Sequence, residues 1–403
     1  MKVLQINSTD MFSTGHIMLN IAKTGRDRGT EVWTVSKKTK TSINRNRTDD
    51  WHIYIGTRVE HTLHRYFSWI TDLQDFGSVV ATYELIRKIK KINPDIIHLH
   101  DLVGWYVNIG ILFRYLKKID KPIVWTFHDC WAFTGRCIYF DYANCNKWKT
   151  GCDKCPQIEY MPKSWFFDFS AFNWRRRKRL FTAIKNMTIV TPSIWLKELT
   201  HMSFLSDYRT IVINNGINLD VFKPTTGELY YKLKSRNKRI ILGVAGTWSK
   251  RKGLSDFQRL ANDIPENYQI ILVGISQEEV NNEKIIAYKR TTNQKELAEI
   301  YTAADVFANP TIEENFPTVN LESLACGTPI VTYRTGGSPE SVDENTGIVV
   351  EKGNYEELKK GIFTVLENGK EYYSCACIEK SKNYDMKARF NDYIDLYEEI
   401  LKQ

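Results

Sequence analysis

Residues 2–35 read KVLQINSTDMFSTGHIMLNIAKTGRDRGTEVWTV. Lys2 to Asn7 is a short apolar run of strand length. Ser13, Thr14 and Gly15 lie in a polar loop, His16 to Arg28 carries helical apolar spacing, and Glu31 to Val35 returns to β-formers. Strand, glycine-bearing loop, helix and strand make a βαβ unit, whose two strands run parallel.

The pattern repeats. A helix from about Thr82 to Lys91 stops at Asn93-Pro94 and is followed by a strand from Asp95 to His100. A helix over about Asn108 to Lys118 precedes the strand Pro122 to Phe127, and Met187 to Val190 is a further strand. A second series starts near Arg239, with strands Ile240–Val244, Gln269–Val273, Lys284–Tyr288, Val306–Ala308, Pro329–Thr332 and Gly347–Val350. Helices are expected from about Gly253 and over Val319–Ala325, and the end of the chain from Asn354 is mainly helical. The expected fold is α/β: two Rossmann-like, doubly wound parallel-sheet domains facing across a cleft, over residues 1–205 and 206–403. A terminal helix over about 381–403 would pack back on the first domain. Ligands of such sheets bind beyond the carboxyl ends of the strands, so the cleft is the expected site.

At 403 residues, with 42% hydrophobic and 26% charged side chains, the chain is large enough for two or three domains with real cores. Mean hydropathy is −0.39 and no run of eighteen apolar residues occurs, so no membrane span is expected. The apolar stretch at the N-terminus is too short for a secretory signal, which points to the cytoplasm. The net charge of +9 is concentrated. Residues 161–200 hold eight Lys or Arg against two acids, a local patch rather than the broad basic face of a nucleic-acid enzyme.

The segment from Asn309 to Val331, NPTIEENFPTVNLESLACGTPIV, carries the chemistry. Glu314 precedes a helix and Glu322 lies eight residues on, within it. The helix start between them offers amides and a positive dipole end to an anion. A nucleotide sugar, with hydroxyls on either side of a diphosphate, has the matching layout. Acids near a helix start also serve simply as dipole partners.

This segment resembles the E-x7-E signature of retaining family-4 glycosyltransferases of the GT-B fold. Ile213-Asn-Asn-Gly-Ile-Asn218 with Phe222 and Pro224, Leu297 to Phe307, and Thr335-Gly-Gly-Ser-Pro-Glu340 resemble further motifs of that family, in its order. The resemblance implies that Glu322 binds ribose, that Glu314 holds donor-sugar hydroxyls, and that Asn315, Phe316, Pro317, Thr318 and Val319 line the sugar and phosphate pocket. Gly246-Thr-Trp-Ser-Lys-Arg-Lys-Gly253 is similar to the family's diphosphate clamp. Lys252 stands at the clamp's Lys, but Thr247 stands where the family has Arg, and Arg251 either supplies that charge or is a solvated loop arginine. Gly15 matches a glycine of the first loop, where backbone approaches the donor phosphate.

On the acceptor side, His128 of Thr126-Phe-His-Asp-Cys matches a family histidine that faces the reacting sugar, against the alternative of a core histidine. Asp129 would orient it or cap a turn, and neither His98 nor His100 is expected to be catalytic. Cys137, Cys145, Cys152 and Cys155, in a Cys-rich insertion over 130–160, suggest a closed structural Zn2+ site, with free thiols or a disulfide as alternatives. Transferases of colanic-acid and related exopolysaccharide synthesis carry a similar insertion.

The expected activity is retaining transfer of a hexosyl group from a UDP- or GDP-sugar to a lipid-linked or saccharide acceptor in cell-surface polysaccharide (capsule or exopolysaccharide) biosynthesis. The resemblance implies no cofactor for the chemistry. The enzyme would sit peripherally on the inner face of the cell membrane, with Arg175, Arg176, Arg177 and Arg179 and neighbouring aromatics against an anionic membrane surface. An ordinary amphipathic helix would account for the same window. A GT-B phosphorylase or epimerase, and a nucleic-acid-binding protein using the basic window, are the rival readings; no nucleic-acid partner is expected.

Overall fold

The computed structural model describes residues 1–39, 49–160, 162–280, 282–291 and 293–403; Met161, which opens the basic window, lies outside them. The chain divides into two compact units. Unit 1 comprises Met1–Ile213 and Phe390–Gln403, and unit 2 comprises Asn214–Arg389.

Unit 1 is built on β1 (Lys2–Ile6), β2 (Glu31–Lys37), β3 (His52–Ile55), β4 (Ile96–Leu99), β5 (Ile123–Thr126), β6 (Met187–Thr191) and β7 (Arg209–Val212), in the order β3-β2-β1-β4-β5-β6-β7. All pairings are parallel, with Val3 opposite both Val32 and Ile96. Unit 2 holds β8 (Arg239–Val244), β9 (Tyr268–Val273), β10 (Ile285–Tyr288), β11 (Val306–Asn309), β12 (Ile330–Tyr333) and β13 (Gly347–Val350), in the order β10-β9-β8-β11-β12-β13, again parallel. The central strands are Val-, Ile- and Leu-rich and buried on both faces, as helix-covered parallel sheets require. In each unit the strand order reverses once, between β1 and β4 and between β8 and β11. Those are the switch points at which such sheets bind ligands.

The expected boundary at 205/206 moves to 213/214 because β7 pairs with β6 from Thr188↔Arg209 to Thr191↔Val212 and so completes the first sheet. The end of the chain does join unit 1, from Phe390 rather than 381. Arg28 pairs with Asp395 and Glu398, and Arg209 pairs with Glu399.

The helix Ser170–Phe181 corrects the reading of the basic window. Arg177 is fully buried, paired with Asp75 at 3.0 Å, donating to the Trp131 and Thr134 carbonyls and stacked over Trp131. Arg176 also reaches Asp75 at 3.4 Å, and Trp174 is buried with its indole N–H on the Trp148 carbonyl. Buried Asp75 needs these cations, so Arg177 and Trp174 belong to the core. Arg175, Lys178 and Arg179 are exposed.

Candidate active site

In unit 2, the loop 245–253 leaves β8 and the loop 310–317 leaves β11, one on each side of the switch point. Two glycines press this region together. Gly253 (φ +75°) lies so close to Pro310 that a Cβ would sit 2.4 Å from its carbonyl oxygen. Gly336 (φ +53°) lies against the Glu314 carbonyl, 1.8 Å from where a Cβ would be. Only glycine combines that backbone with that approach.

The result is a converging set of charges. Lys252 Nζ is 2.5 Å from Glu314 Oε2, and the Asn315 amide donates to Glu314 Oε1 at 3.1 Å. Arg251 donates to the Glu313 carbonyl at 3.1 Å, and its own carbonyl accepts from the Ile312 amide at 2.9 Å. Arg251 is therefore pinned to the loop that carries Glu314. Burial alone would push the Glu314 carboxyl up, but the Lys252 charge and hydrogen bond, the Asn315 amide and Arg251 outweigh it and hold it below the usual range. Glu322 lies in the helix Thr318–Ala325 and accepts from the Tyr301 hydroxyl at 3.1 Å. Among the described residues no cation offsets its desolvation, and its carboxyl is pushed up to about 8.

Pro317 stands at the N-cap of that helix, which has no side-chain cap; the Asn320 amide donates to the Pro317 carbonyl at 3.1 Å, and the Thr318 and Val319 amides at the helix start face the direction an anion would approach from. Asn315 and Phe316 are buried, and their carbonyls accept from Gly337 (2.7 Å) and Asn215 (3.1 Å). Phe316 packs in the core against Tyr384. These two residues shape the loop, while Thr318 and Val319 are partly exposed at the helix start. Beneath lies a polar network absent from the sequence reading. Asn320 accepts from Asn309 (2.8 Å) and donates to Ser338 (3.0 Å) and Ser341 (2.9 Å), fixing helix, β11 and the 335–341 loop. Two asparagines at otherwise apolar positions were its signal.

In unit 1, His98, His100 and His128 stand at the carboxyl ends of β4 and β5. His98 bonds Tyr397 (2.6 Å) and Thr126 (2.8 Å), and its ring lies 4.0 Å from that of His100. His100 Nδ1 bonds His128 Nε2 at 3.2 Å. Burial keeps all three neutral, with His128 lowered to about 4. His98 and His100 thus form a supporting column for His128. Asp129 accepts from the Trp131 amide at 2.8 Å, a turn-capping contact, and burial followed by the Asp101 charge pushes its carboxyl up to about 8. Asp101, held by Ser8 (2.9 Å) and the Val103 amide (2.9 Å), is pushed up to about 6 by burial. Ser8, Asp101 and Asp129, with Trp69, Trp105 and Lys163, line a pocket of 480 Å³. The sequence reading missed Ser8, Asp101 and both tryptophans, because polar strand-end residues gain meaning only once the strands are ordered.

Gly15 departs from expectation. It lies inside the helix Phe12–Asp27, its amide donates to the Met11 carbonyl, and a Cβ would meet the Asp10 backbone at 2.4 Å. Its small size serves the packing of the helix on its own entry loop. Cys137, Cys145, Cys152 and Cys155 are not joined in disulfides. Among the described residues no group of three or more His, Cys, Asp or Glu is arranged to hold a metal ion. The Cys137 thiol bonds the Cys155 sulfur, which lowers Cys155 to about 6, while Cys152 accepts from the Gly135 amide at 3.2 Å.

Comparison with known proteins agrees with this architecture. The model of Glycosyltransferase Family 4 matches residues 15–221, and that of Glycosyl transferases group 1 matches residues 228–383. The chain is 23% identical over 283 residues to a protein of Escherichia coli (strain K12) provisionally named the colanic acid biosynthesis glycosyl transferase WcaC, covering 68% of each. It is 24% identical over 326 residues to the sulfoquinovosyl transferase SQD2 of Arabidopsis thaliana, covering 77% of this chain and 58% of that one. Among solved structures, a glycosyltransferase from Rickettsia africae ESF-5 superposes with a TM-score of 0.70 at 18% identity, over 100% of this chain and 99% of the other. Anabaena Alr3699/HepE in complex with UDP-glucose superposes with a TM-score of 0.65 at 15% identity, over 99% of each. With two parallel sheets of the GT-B type and a family model spanning more than half its length, the chain is a glycosyltransferase enzyme and belongs to glycosyltransferase family 4.

Proposed function

We propose that the enzyme is a retaining hexosyltransferase that uses a nucleoside diphosphate sugar and a lipid-linked saccharide acceptor in cell-surface polysaccharide synthesis, peripherally at a membrane. The observation that carries the donor reading is the Lys252–Glu314 pair beside an uncapped helix start at the β8–β11 switch point. An incoming diphosphate competes with Glu314 for Lys252. Once Lys252 and Arg251 turn to the phosphates, the Glu314 carboxylate is free to accept sugar hydroxyls. As the sugar–phosphate bond breaks, the growing charge on the diphosphate meets cations and amides already in place, and the leaving phosphate oxygen takes the acceptor proton. His128, kept neutral and oriented by His100, hydrogen-bonds the reacting sugar. Glu322, with Tyr301 on one oxygen, holds the ribose.

UDP-glucose bound to a protein of the same fold supports the donor class. A thermal-shift screen of UDP-, GDP-, ADP- and TDP-sugars tests it: a true donor at about a hundred times its Kd adds about 2.7 kcal/mol of stability. Glu322→Ala is expected to weaken nucleotide binding and Glu314→Ala to lower turnover with the nucleotide still bound. Normal binding and transfer in both variants would retire the assignment.

The zinc proposal rests on cysteine spacing. Elemental analysis of the purified chain decides it, with about one zinc per chain expected and metal-free, stable protein as the contrary result.

A further inference from the structure

The helix Arg58–Thr71 is inside out. Its buried side carries His61, His64 and Ser68. His64 bonds Ser78 and the Gln74 carbonyl, both at 2.9 Å, and His61 bonds the Ile55 carbonyl at 3.2 Å. Its outer side carries Val59, Leu63, Tyr66, Phe67 and Ile70, at helical spacing, with Leu63 64% exposed. A helix that faces water shows the opposite pattern. The stripe continues on both flanks. Val79 and Val80 join Val59, Leu63 and Phe67 around one groove of 510 Å³. Trp165 is tied to the helix end by its amide on the Trp69 carbonyl and by ring contacts with Tyr66 and Trp69, followed by exposed Phe166 and Phe167. So large a continuous apolar surface calls for a partner.

Charge selects the partner. Arg65 lies over the Tyr66 and Trp69 rings, and Lys163 over Trp69 and Trp165. The acids of the segments 57–91 and 163–179 are engaged within unit 1. Glu60 accepts from the Ala81 amide and Glu84 from that of Gly56. Asp72 and Asp75 hold Arg136 and Arg177, and Asp168 accepts from the Cys155 and Ser170 amides. The cations around the stripe therefore outnumber the acids facing outward, and two copies meeting face to face would repel.

We propose that this surface docks on an anionic lipid bilayer, with the stripe of the helix Arg58–Thr71, Val79, Val80 and the Trp165–Phe167 segment lying in the interfacial layer. The inference rests on the lipid-linked acceptor reading and names a different face from the basic helix Ser170–Phe181. Its geometry suits that reading. Trp69 and Lys163, which meet Trp165 on the stripe, also line the 480 Å³ pocket with Asp101 and Asp129. A saccharide could enter that pocket while its lipid stays in the bilayer.

The test is flotation of the purified chain with vesicles of equimolar phosphatidylglycerol and phosphatidylcholine, beside phosphatidylcholine alone. Wild type is expected to float with the anionic vesicles. Leu63→Ser/Phe67→Ser/Val80→Ser is expected to partition on the order of tenfold less or lower, with nucleotide-sugar binding unchanged. Arg175→Gln/Arg179→Gln is expected to lose much less. A triple variant that floats like wild type, a wild type that ignores both vesicles, or a wild-type dimer that the triple variant makes monomeric would each overturn the proposal. Should the triple variant fail to fold, brominated lipid provides the second measurement. It is expected to quench wild-type tryptophan fluorescence more than that of Trp165→Phe, and equal quenching counts against the proposal. Vesicle binding that obeys these expectations without transfer to any lipid acceptor would sink the acceptor reading alone. Transfer to a lipid-linked acceptor presented in detergent, without vesicle binding, would sink the docking face alone.

Discussion

The two switch points share one topology and treat charge in opposite ways. At β8–β11 a carboxylate is kept ionised in a partly buried site because Lys252, Arg251 and a backbone amide surround it. At β1–β4 burial wins: Asp101 and Asp129 are pushed toward their acid forms and three histidines toward their neutral forms. The same contrast recurs within unit 2, where Glu322 has a hydroxyl for a neighbour instead of a cation and rises to about 8. Topology chooses where a ligand sits. A neighbouring cation decides whether the site meets it as a charged clamp, suited to a diphosphate, or as an uncharged hydrogen-bonding surface, suited to saccharide hydroxyls.

The largest effect should come from erasing the difference at its source. Lys252→Met removes the strongest opposition to burial at Glu314, leaving only the Asn315 amide and Arg251, so that carboxyl should rise. We expect kcat/KM to fall by on the order of a hundredfold to a thousandfold, read in steady-state transfer with whichever donor the thermal screen selects. Unchanged turnover would mean that the clamp is not used. A smaller effect sharpens the comparison from the other side. Asp129 holds a proton in the folded chain that the unfolded chain releases near its ordinary 3.8. Its contribution to stability is therefore fully present below about pH 4 and is lost as pH rises through about 8. Asp129→Asn keeps the uncharged shape without the titration. Denaturation midpoints from pH 5 to about 8 should decline less steeply for the variant than for wild type, and parallel curves would show that Asp129 is ionised in the native state.

Much of this was legible in the sequence because it depends on local pattern. Buried parallel strands announce themselves as apolar runs, and both doubly wound sheets were anticipated from them. The residues proposed for the donor site, Arg251, Lys252, Glu314 and Glu322, lie in two short segments whose spacing survives without the fold. What escaped depended on inversion or distance. The helix Arg58–Thr71 went unread because its apolar positions point outward while His61, His64 and Ser68 point in. Arg177 read as surface because its partner, Asp75, is far away in the chain. Gly15, read with Ser13 and Thr14 as a polar loop, lies inside the helix Phe12–Asp27, where the close approach of the Asp10 backbone leaves room for glycine only.

The C-terminal segment sets the order in which the protein can be finished. Unit 1 takes its last strand from Arg209–Val212 but waits for Phe390–Gln403, with residues 214–389 translated in between. At about 5–20 residues per second that delay is roughly 9–35 s. Throughout it, His98 lacks the Tyr397 hydroxyl that is its 2.6 Å partner, and Arg28 and Arg209 lack their carboxylates. The first domain to leave the ribosome is thus the last to close, and a fragment ending at Ile213 would be a sheet with an unsealed floor. Added in trans as a peptide, residues 390–403 would be the natural seal.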